Sequence, residues 1–403
     1  MSVGGLSRAR LDRLHDVMTG HVERGDMPGL VTLIGRRGEV HVDAIGATAA
    51  GGRDPMRRDT LFRIASMTKP IAATAAMLLV EECRLRLDEP VDRFLPELAD
   101  RRVLRRLDGP LDDTVPAARP LSLRDLLTLR MGFGYVMDAT RPYPIVKAAN
   151  EQQLLLGPPR PQNVPAPDEW IRRVATLPLM HQPGQKWMYD LGLDVLGVLI
   201  ARAAGRPLDT FLRERLFEPL GMKDTSFSAP AAGIHRLATS YASNPRSGAL
   251  EVYDEAEGGH WSRPPAFPAA ASGLVSTVDD YLAFGQMLLH KGRHGRERIL
   301  SRPSVEAMTA DQLTPEQKAV SGLVGGYFDG HGWGFGLSMV TRRDDGAGSV
   351  GQFGWDGGLG TSWRSDPQED LVGILMTQRA WTSPTPPEVC RDFWTGVYQA
   401  IDD

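Results

Sequence analysis

The chain has 403 residues, 42% of them hydrophobic and 24% charged, with a formal net charge of -4 at pH 7. This composition is that of a folded globular protein long enough to enclose a site, and it excludes disordered and collagen-like classes. The charges are interspersed, which gives no electrostatic footprint for nucleic acid or an anionic membrane, and two cysteines, Cys83 and Cys390, are too few for a disulfide framework or a zinc site.

At the N-terminus, leucines with Val17, Met18 and Val22 recur at helical spacing, without the basic-then-apolar pattern of a signal peptide. The longest apolar run, residues 71–80, is too short to cross a bilayer. The expectation is a soluble cytoplasmic protein. Residues 29–35 and 39–48 read as strands of a hairpin turned at Arg36-Arg37-Gly38. A short strand at 60–64 then feeds a helix over 65–82, and helical signals dominate to about residue 300. Within that region, the basic run 101–106 reads as a solvated helix face and the Pro-rich stretch 142–167 as a surface excursion. His290 and His294 bracket a turn and read as surface residues, not metal ligands.

The last third changes character. Residues 332–340, 349–355, 360–365 and 371–378 read as strands, and 387–401 as a closing helix. Strands at both ends with helices between predict an α/β (α+β) fold: an antiparallel sheet built from both termini and flanked by helices, with a mainly helical lobe inserted. The expected division is 1–83 with 300–403 against 84–299, with a ligand cleft between.

One stretch carries chemistry. In Ile64-Ala65-Ser66-Met67-Thr68-Lys69-Pro70, the i, i+3 spacing places the Ser66 hydroxyl and Lys69 amine on one helix face. Proline is tolerated only in the first helical turn, so Pro70 puts helix onset near Ser66. There the helix dipole stabilises an alkoxide and disfavours charge on a partly buried Lys69, which is expected to lose its proton near neutral pH. The same four residues equally describe an N-cap serine with a solvated lysine, so the motif needs partners. Pro183-Gly184-Gln185-Lys186-Trp187-Met188-Tyr189-Asp190 places a tyrosine ahead of an apolar helix, and Phe353-Gly354-Trp355-Asp356-Gly357-Gly358 has glycines where a strand can approach a ligand closely.

Together with the stretches at 218–227, 271–284 and 332–336, these motifs resemble, in order, the serine β-lactamase-like superfamily of class C β-lactamases and D-alanyl-D-alanine carboxypeptidases, and most closely its carboxylesterase branch, the family VIII esterases. The resemblance implies Ser66 as acyl-accepting nucleophile, Lys69 as its hydrogen-bonded partner and Tyr189 as proton shuttle, the last two titrating as a coupled base. It implies an oxyanion hole from the N–H groups of Ser66 and Gly358, with Gly357 and Gly358 permitting close approach. No cofactor, metal, nucleic acid or membrane partner is implied.

Departures from the family pattern point towards esters. Leu191 stands where the family has the asparagine of Y-x-N, and Trp355-Asp356-Gly357 replaces K-T-G or H-x-G, so an amide contact and a carboxylate-binding cation are missing and Asp356 is added. Each lost charge-assisted contact costs an anionic substrate about 1.5–3 kcal/mol and a neutral ester nothing. Trp355, Asp356, Gly357, Tyr135 and Leu191 are the expected substrate contacts, while Phe133, Trp187 and Trp363 are pocket candidates that fit a core role better. A histidine and a serine of the family motif near Thr128 are absent, which alters the pocket beside Tyr135. No G-x-S-x-G or H-E-x-x-H occurs. The expected activity is a serine carboxylesterase for small, neutral, short-chain esters, with acyl transfer, weak β-lactam hydrolysis and a non-catalytic binding role as alternatives.

Overall fold

The computed structural model describes residues 2–137, 142–154, 157–343 and 348–403. A seven-stranded antiparallel sheet frames it, made of β1 (Gly29–Arg36), β2 (Glu39–Gly46), β3 (His331–Trp333), β4 (Ser338–Val340), β5 (Phe353–Gly357), β6 (Thr361–Asp366) and β7 (Leu371–Thr377). Their order across the sheet is β3-β4-β5-β6-β7-β1-β2. The two ends of the chain meet where β7 pairs with β1, Leu371 opposite Arg36 and Thr377 opposite Leu30. The fold is thus the mixed α/β arrangement expected, with the sheet assembled from both termini.

Every residue of β1 is buried because helices cover both sheet faces. Side chains alternate across a strand, so Leu30, Ile34, Leu371 and Leu375 join α1 (Arg8–Glu23) in one cluster, while Val31, Leu33, Val372, Ile374 and Met376 face the main core. That core contains α2 (Thr68–Glu81), buried continuously from Thr68 to Leu79, as a helix apolar all round must be. It also takes in α3 (Leu191–Ala204), which packs on α2, and α4 (Val278–Leu289), which packs on β6 and β7. The closing helix α5 (Glu388–Gln399) joins α1 on the opposite face. The main core is continuous from sheet residues such as Ile374 to Leu196 and Leu199 of α3.

Three local expectations are corrected. The stretch 142–167 is not merely a surface excursion: the helix Pro144–Glu151, begun by a proline at its first position, buries Ile145 and Ala149, and residues 155–156 lie outside the described residues. The run 101–106 holds the strand Arg102–Leu104 in place of a solvated helix face, and Arg101 is buried, donating to Ala175 O at 2.6 Å and Val174 O at 3.2 Å. Finally, 332–340 is two strands with a turn between them, closed by Gly334 N donating to Leu337 O at 2.9 Å. Gly336 has φ 70°, a conformation that suits glycine.

Candidate active site

The segment bearing Ser66 is clamped from several directions. The short strand Phe62–Arg63 pairs with Val275–Ser276, and the buried Arg63 guanidinium donates from Nε to Asp254 Oδ2 at 2.7 Å. Ala65 has φ 43°, an uncommon left-handed conformation for a residue with a Cβ. Thr361 Oγ1 donates to Ile64 O at 3.2 Å and Tyr281 Oη to Met67 O at 2.7 Å. Ser66 lies in the 3-10 turn Ala65–Met67, and α2 begins two residues later, at Thr68, with Pro70 in its first turn.

Lys69 is fully buried. Its Nζ donates to Ser66 Oγ at 3.0 Å, to Asp190 Oδ1 at 2.5 Å and to Ala271 O at 2.9 Å. It also lies 4.4 Å from the centroid of the Tyr189 ring. Tyr189 is within hydrogen-bonding reach of Ser66, and its Oη accepts from Trp355 Nε1 at 2.8 Å. Tyr189 is held in place by the loop 129–135: Tyr135 N donates to Tyr189 O at 3.0 Å, and a Cβ on Gly134 would lie 2.5 Å from that same oxygen.

The electrostatics correct one expectation. Burial works against a charge on Lys69, but the Asp190 carboxylate, with Tyr189 and Asp194, holds its pKa above the usual lysine value. Lys69 is therefore not poised to be neutral near pH 7; a carboxylate in direct contact outweighs burial and the helix dipole. Burial also pushes the Tyr189 phenol up, an effect opposed by Lys69, increased by Asp190, and opposed again by the hydrogen bonds with Ser66 and Trp355.

Ser66, Tyr135, Tyr189, Trp355, Asp356 and Gly358 share one cavity of about 540 Å³. Its remaining walls are largely apolar and include Met137, Pro158, Leu323, Val324 and Trp381. Two expected contacts are not there. Leu191 is wholly buried in the core at the start of α3, outside the cavity walls, and Gly357 packs its backbone on Ile64 O instead of facing the cavity. Close approach is a property of Gly357, where a Cβ would lie 2.2 Å from Ile64 O; at Gly358 a Cβ would meet nothing within 4 Å. Phe133, Trp187 and Trp363 are core residues, although the Trp187 ring lies 5.6 Å from that of Tyr189.

Asp356 does not act as an added negative charge. Arg364 donates to both its carboxylate oxygens at 2.7 Å, and Ser362 Oγ donates to Oδ1 at 2.6 Å. The pair presents no net charge to the cavity. Sequence reasoning missed Arg364 and also Asp190, whose position directly after Tyr189 was the available signal. Among the described residues no cluster of histidine, cysteine and carboxylate side chains could hold a metal, both cysteines are free, and no helix is long and apolar enough to cross a membrane.

A mixed fold with a Ser-x-x-Lys at the head of its central helix, in contact with a tyrosine at the wall of one cavity, defines the class of serine hydrolases built on the β-lactamase fold. The chain belongs to the β-lactamase family: the family model described as Beta-lactamase matches residues 14–388. It is 40% identical over 362 residues to Protein Rv1367c of Mycobacterium tuberculosis, covering 88% of this chain and 87% of that one. It is 32% identical over 401 residues to Esterase EstB of Burkholderia gladioli, covering 94% and 92% respectively. In solved structures the fold recurs in "EstCE1, a hydrolase with promiscuous acyltransferase activity", with a TM-score of 0.79, 24% identity and 97% and 99% of the two chains covered. The protein is an enzyme, a serine hydrolase of the β-lactamase fold.

Proposed function

We propose that the protein is a carboxylesterase for neutral, apolar esters, acting through an acyl-enzyme on Ser66. The observation that carries this reading is the convergence of Ser66 and Tyr189 on one wall of a large apolar cavity, with Lys69 buried behind them in contact with both. Ser66 Oγ attacks the ester carbonyl while its proton passes to the Lys69/Tyr189 pair. The oxyanion is received by the N–H groups of Ser66 and Gly358, the alcohol leaves with the returned proton, and water activated by the same pair releases the acid.

Substrate choice follows from the walls. The position that carries a cation in β-lactam-binding relatives holds Trp355, Asp356 is neutralised by Arg364, and Leu191 offers no amide contact, so nothing here rewards an anionic β-lactam. A cavity of about 540 Å³ falls among those that hold drug-sized ligands, roughly 300–1,000 Å³. A short acyl chain would leave much of it unfilled, so the reading extends beyond the short-chain esters expected from sequence.

The test is intact-mass analysis after treatment with a p-nitrophenyl phosphonate, together with turnover of p-nitrophenyl esters from acetyl to decanoyl and of nitrocefin. One adduct per chain, lost in Ser66→Ala, with turnover rising from acetyl towards the longer esters, is the expected result. An adduct or undiminished hydrolysis in Ser66→Ala overturns the assignment, and nitrocefin turnover rivalling that of esters overturns the substrate class. Product analysis in the presence of a competing alcohol separates hydrolysis from acyl transfer.

A further inference from the structure

Asp190 joins Tyr189 to α3 with φ 90° and ψ -76°. These are close to the angles of the γ-turn that is rare and strained for a residue with a Cβ, and strain of this kind persists only where the surrounding structure enforces it. The turn aims a carboxylate that is only 5% exposed at Lys69, with Oδ1 2.5 Å from Nζ.

The environment of Nζ has the stoichiometry of an ammonium. An ammonium has three N–H donors, and Lys69 has three acceptors in place: Ser66 Oγ at 3.0 Å, Asp190 Oδ1 at 2.5 Å and Ala271 O at 2.9 Å. A neutral amine could give its two N–H groups to Asp190 and Ala271 and accept from the Ser66 hydroxyl, so the contact that favours the ammonium is the carboxylate at 2.5 Å, whose charge a protonated nitrogen meets with a stronger hydrogen bond. A lysine so held cannot also accept the serine proton.

We infer that Asp190 is a positioning residue for the reaction: its carboxylate holds Lys69 as an ammonium aimed at Ser66 Oγ, which leaves Tyr189 to take the serine proton. This rests on the proposed Ser66 acyl-enzyme. The step balances simply: the Ser66 O–H bond breaks, a Tyr189 O–H bond forms, and the Oγ electron pair goes to the carbonyl carbon. The ammonium beneath the ring and the Trp355 N–H at Oη both favour the phenolate that this requires.

The groups facing Asp190 come from every neighbouring element. Lys69 approaches from α2, Tyr135 from the 129–137 loop with its hydroxyl in hydrogen-bonding reach, Tyr189 from the preceding residue and Asp194 from α3. Asp194 is buried, with Ala271 N donating to its Oδ1 at 2.9 Å; burial and Asp190 push its carboxyl up. The Asp190 charge raises the Tyr189 phenol as well as the Lys69 ammonium, so the phenolate forms only towards alkaline pH.

The experiment is the pH profile of kcat/KM for a p-nitrophenyl ester in wild type, Asp190→Asn and Asp190→Ser, with Ser66→Ala as control and the ultraviolet phenolate titration of wild type against Tyr189→Phe. Removing the carboxylate should move the acid limb down by about one pH unit or more and lower kcat by about tenfold or more as Lys69 loses its anchor. In wild type the Tyr189 phenolate should appear over the same pH range as the acid limb. A proportionate loss of rate with an unmoved profile makes Asp190 merely structural and overturns the inference, as does an acid limb with no Tyr189 ionisation; the titration needs no Asp190 variant to fold. Full activity in Ser66→Ala would instead overturn the acyl-enzyme itself.

Discussion

The indole N–H of Trp355 donates to Tyr189 Oη at 2.8 Å, so a residue of β5 acts directly on the phenol beside Ser66. Trp355 thus supplies a neutral donor to the phenol that the proposed mechanism uses as proton acceptor. A donor to the phenolate favours the charged form and lowers the Tyr189 pKa. Trp355→Phe removes that donor while keeping a ring. The acid limb of the kcat/KM profile should move to higher pH, with a loss of about tenfold at neutral pH, as for a hydrogen bond worth about 1–1.5 kcal/mol. A profile that stays in place would show that the bond is not felt in the reaction.

The two glycines after Asp356 should behave oppositely. A Cβ on Gly357 would lie 2.2 Å from both Ile64 O and Thr361 Oγ1, the atoms that fix the backbone ahead of Ser66, whereas a Cβ on Gly358 is unobstructed. Gly357→Ala should lower activity by a hundredfold or more, about the cost of misplacing a catalytic group by 1 Å. Gly358→Ala should fold with a melting temperature close to that of wild type and keep its backbone donor. Initial rates and thermal melts of the two variants decide the point.

Asp356→Asn would leave Arg364 charged at the cavity edge without its carboxylate. The pair is 13% and 23% exposed, so the cost should be about 1–3 kcal/mol, below that of breaking a fully buried pair. Chemical denaturation measures it, and adding Arg364→Met should restore part of the loss. The single variant should also lower KM for an ester carrying a carboxylate, because the guanidinium is then free to meet it.

His181 should contribute to acid sensitivity. Burial, with Lys186 nearby, pushes its pKa down to about 4, against roughly 6.5 in an unfolded chain. The unfolded chain then binds the proton more readily than the fold does, so this contribution is complete above about pH 6.5 and is lost as pH falls through about 4. His181→Gln should flatten the dependence of melting temperature on pH between 7 and 4; an unchanged slope would remove His181 from the account.

Much of the frame was legible along the chain. The β1 and β7 patterns, the buried α2 and the sheet shared by both ends follow from periodicity and burial, which are properties of neighbouring residues. Errors came where a local signal had two outcomes. Charge in 101–106 suggested a solvated helix, but carbonyls of residues 174 and 175 capture Arg101, and glycines inside 332–340 split one apparent strand into two. Tyr135, Tyr189, Trp355 and Gly358 reach the cavity, while Leu191 and Gly357 do not, because Leu191 opens a buried helix and the backbone of Gly357 packs on Ile64 O.

The sequence by itself determined the setting of Ser66: serine, lysine and proline at fixed spacing in a first helical turn leave little local freedom, and β-lactamase-family motifs recur in order around them. Only the tertiary structure decided the charge partners of the site. Lys69 has a carboxylate partner because Asp190, 121 residues away, touches it, and Asp356 is paired because a turn from β5 to β6 brings Arg364 alongside. Charge–charge energies depend on separation and on how much water is excluded, and neither can be read from residue order.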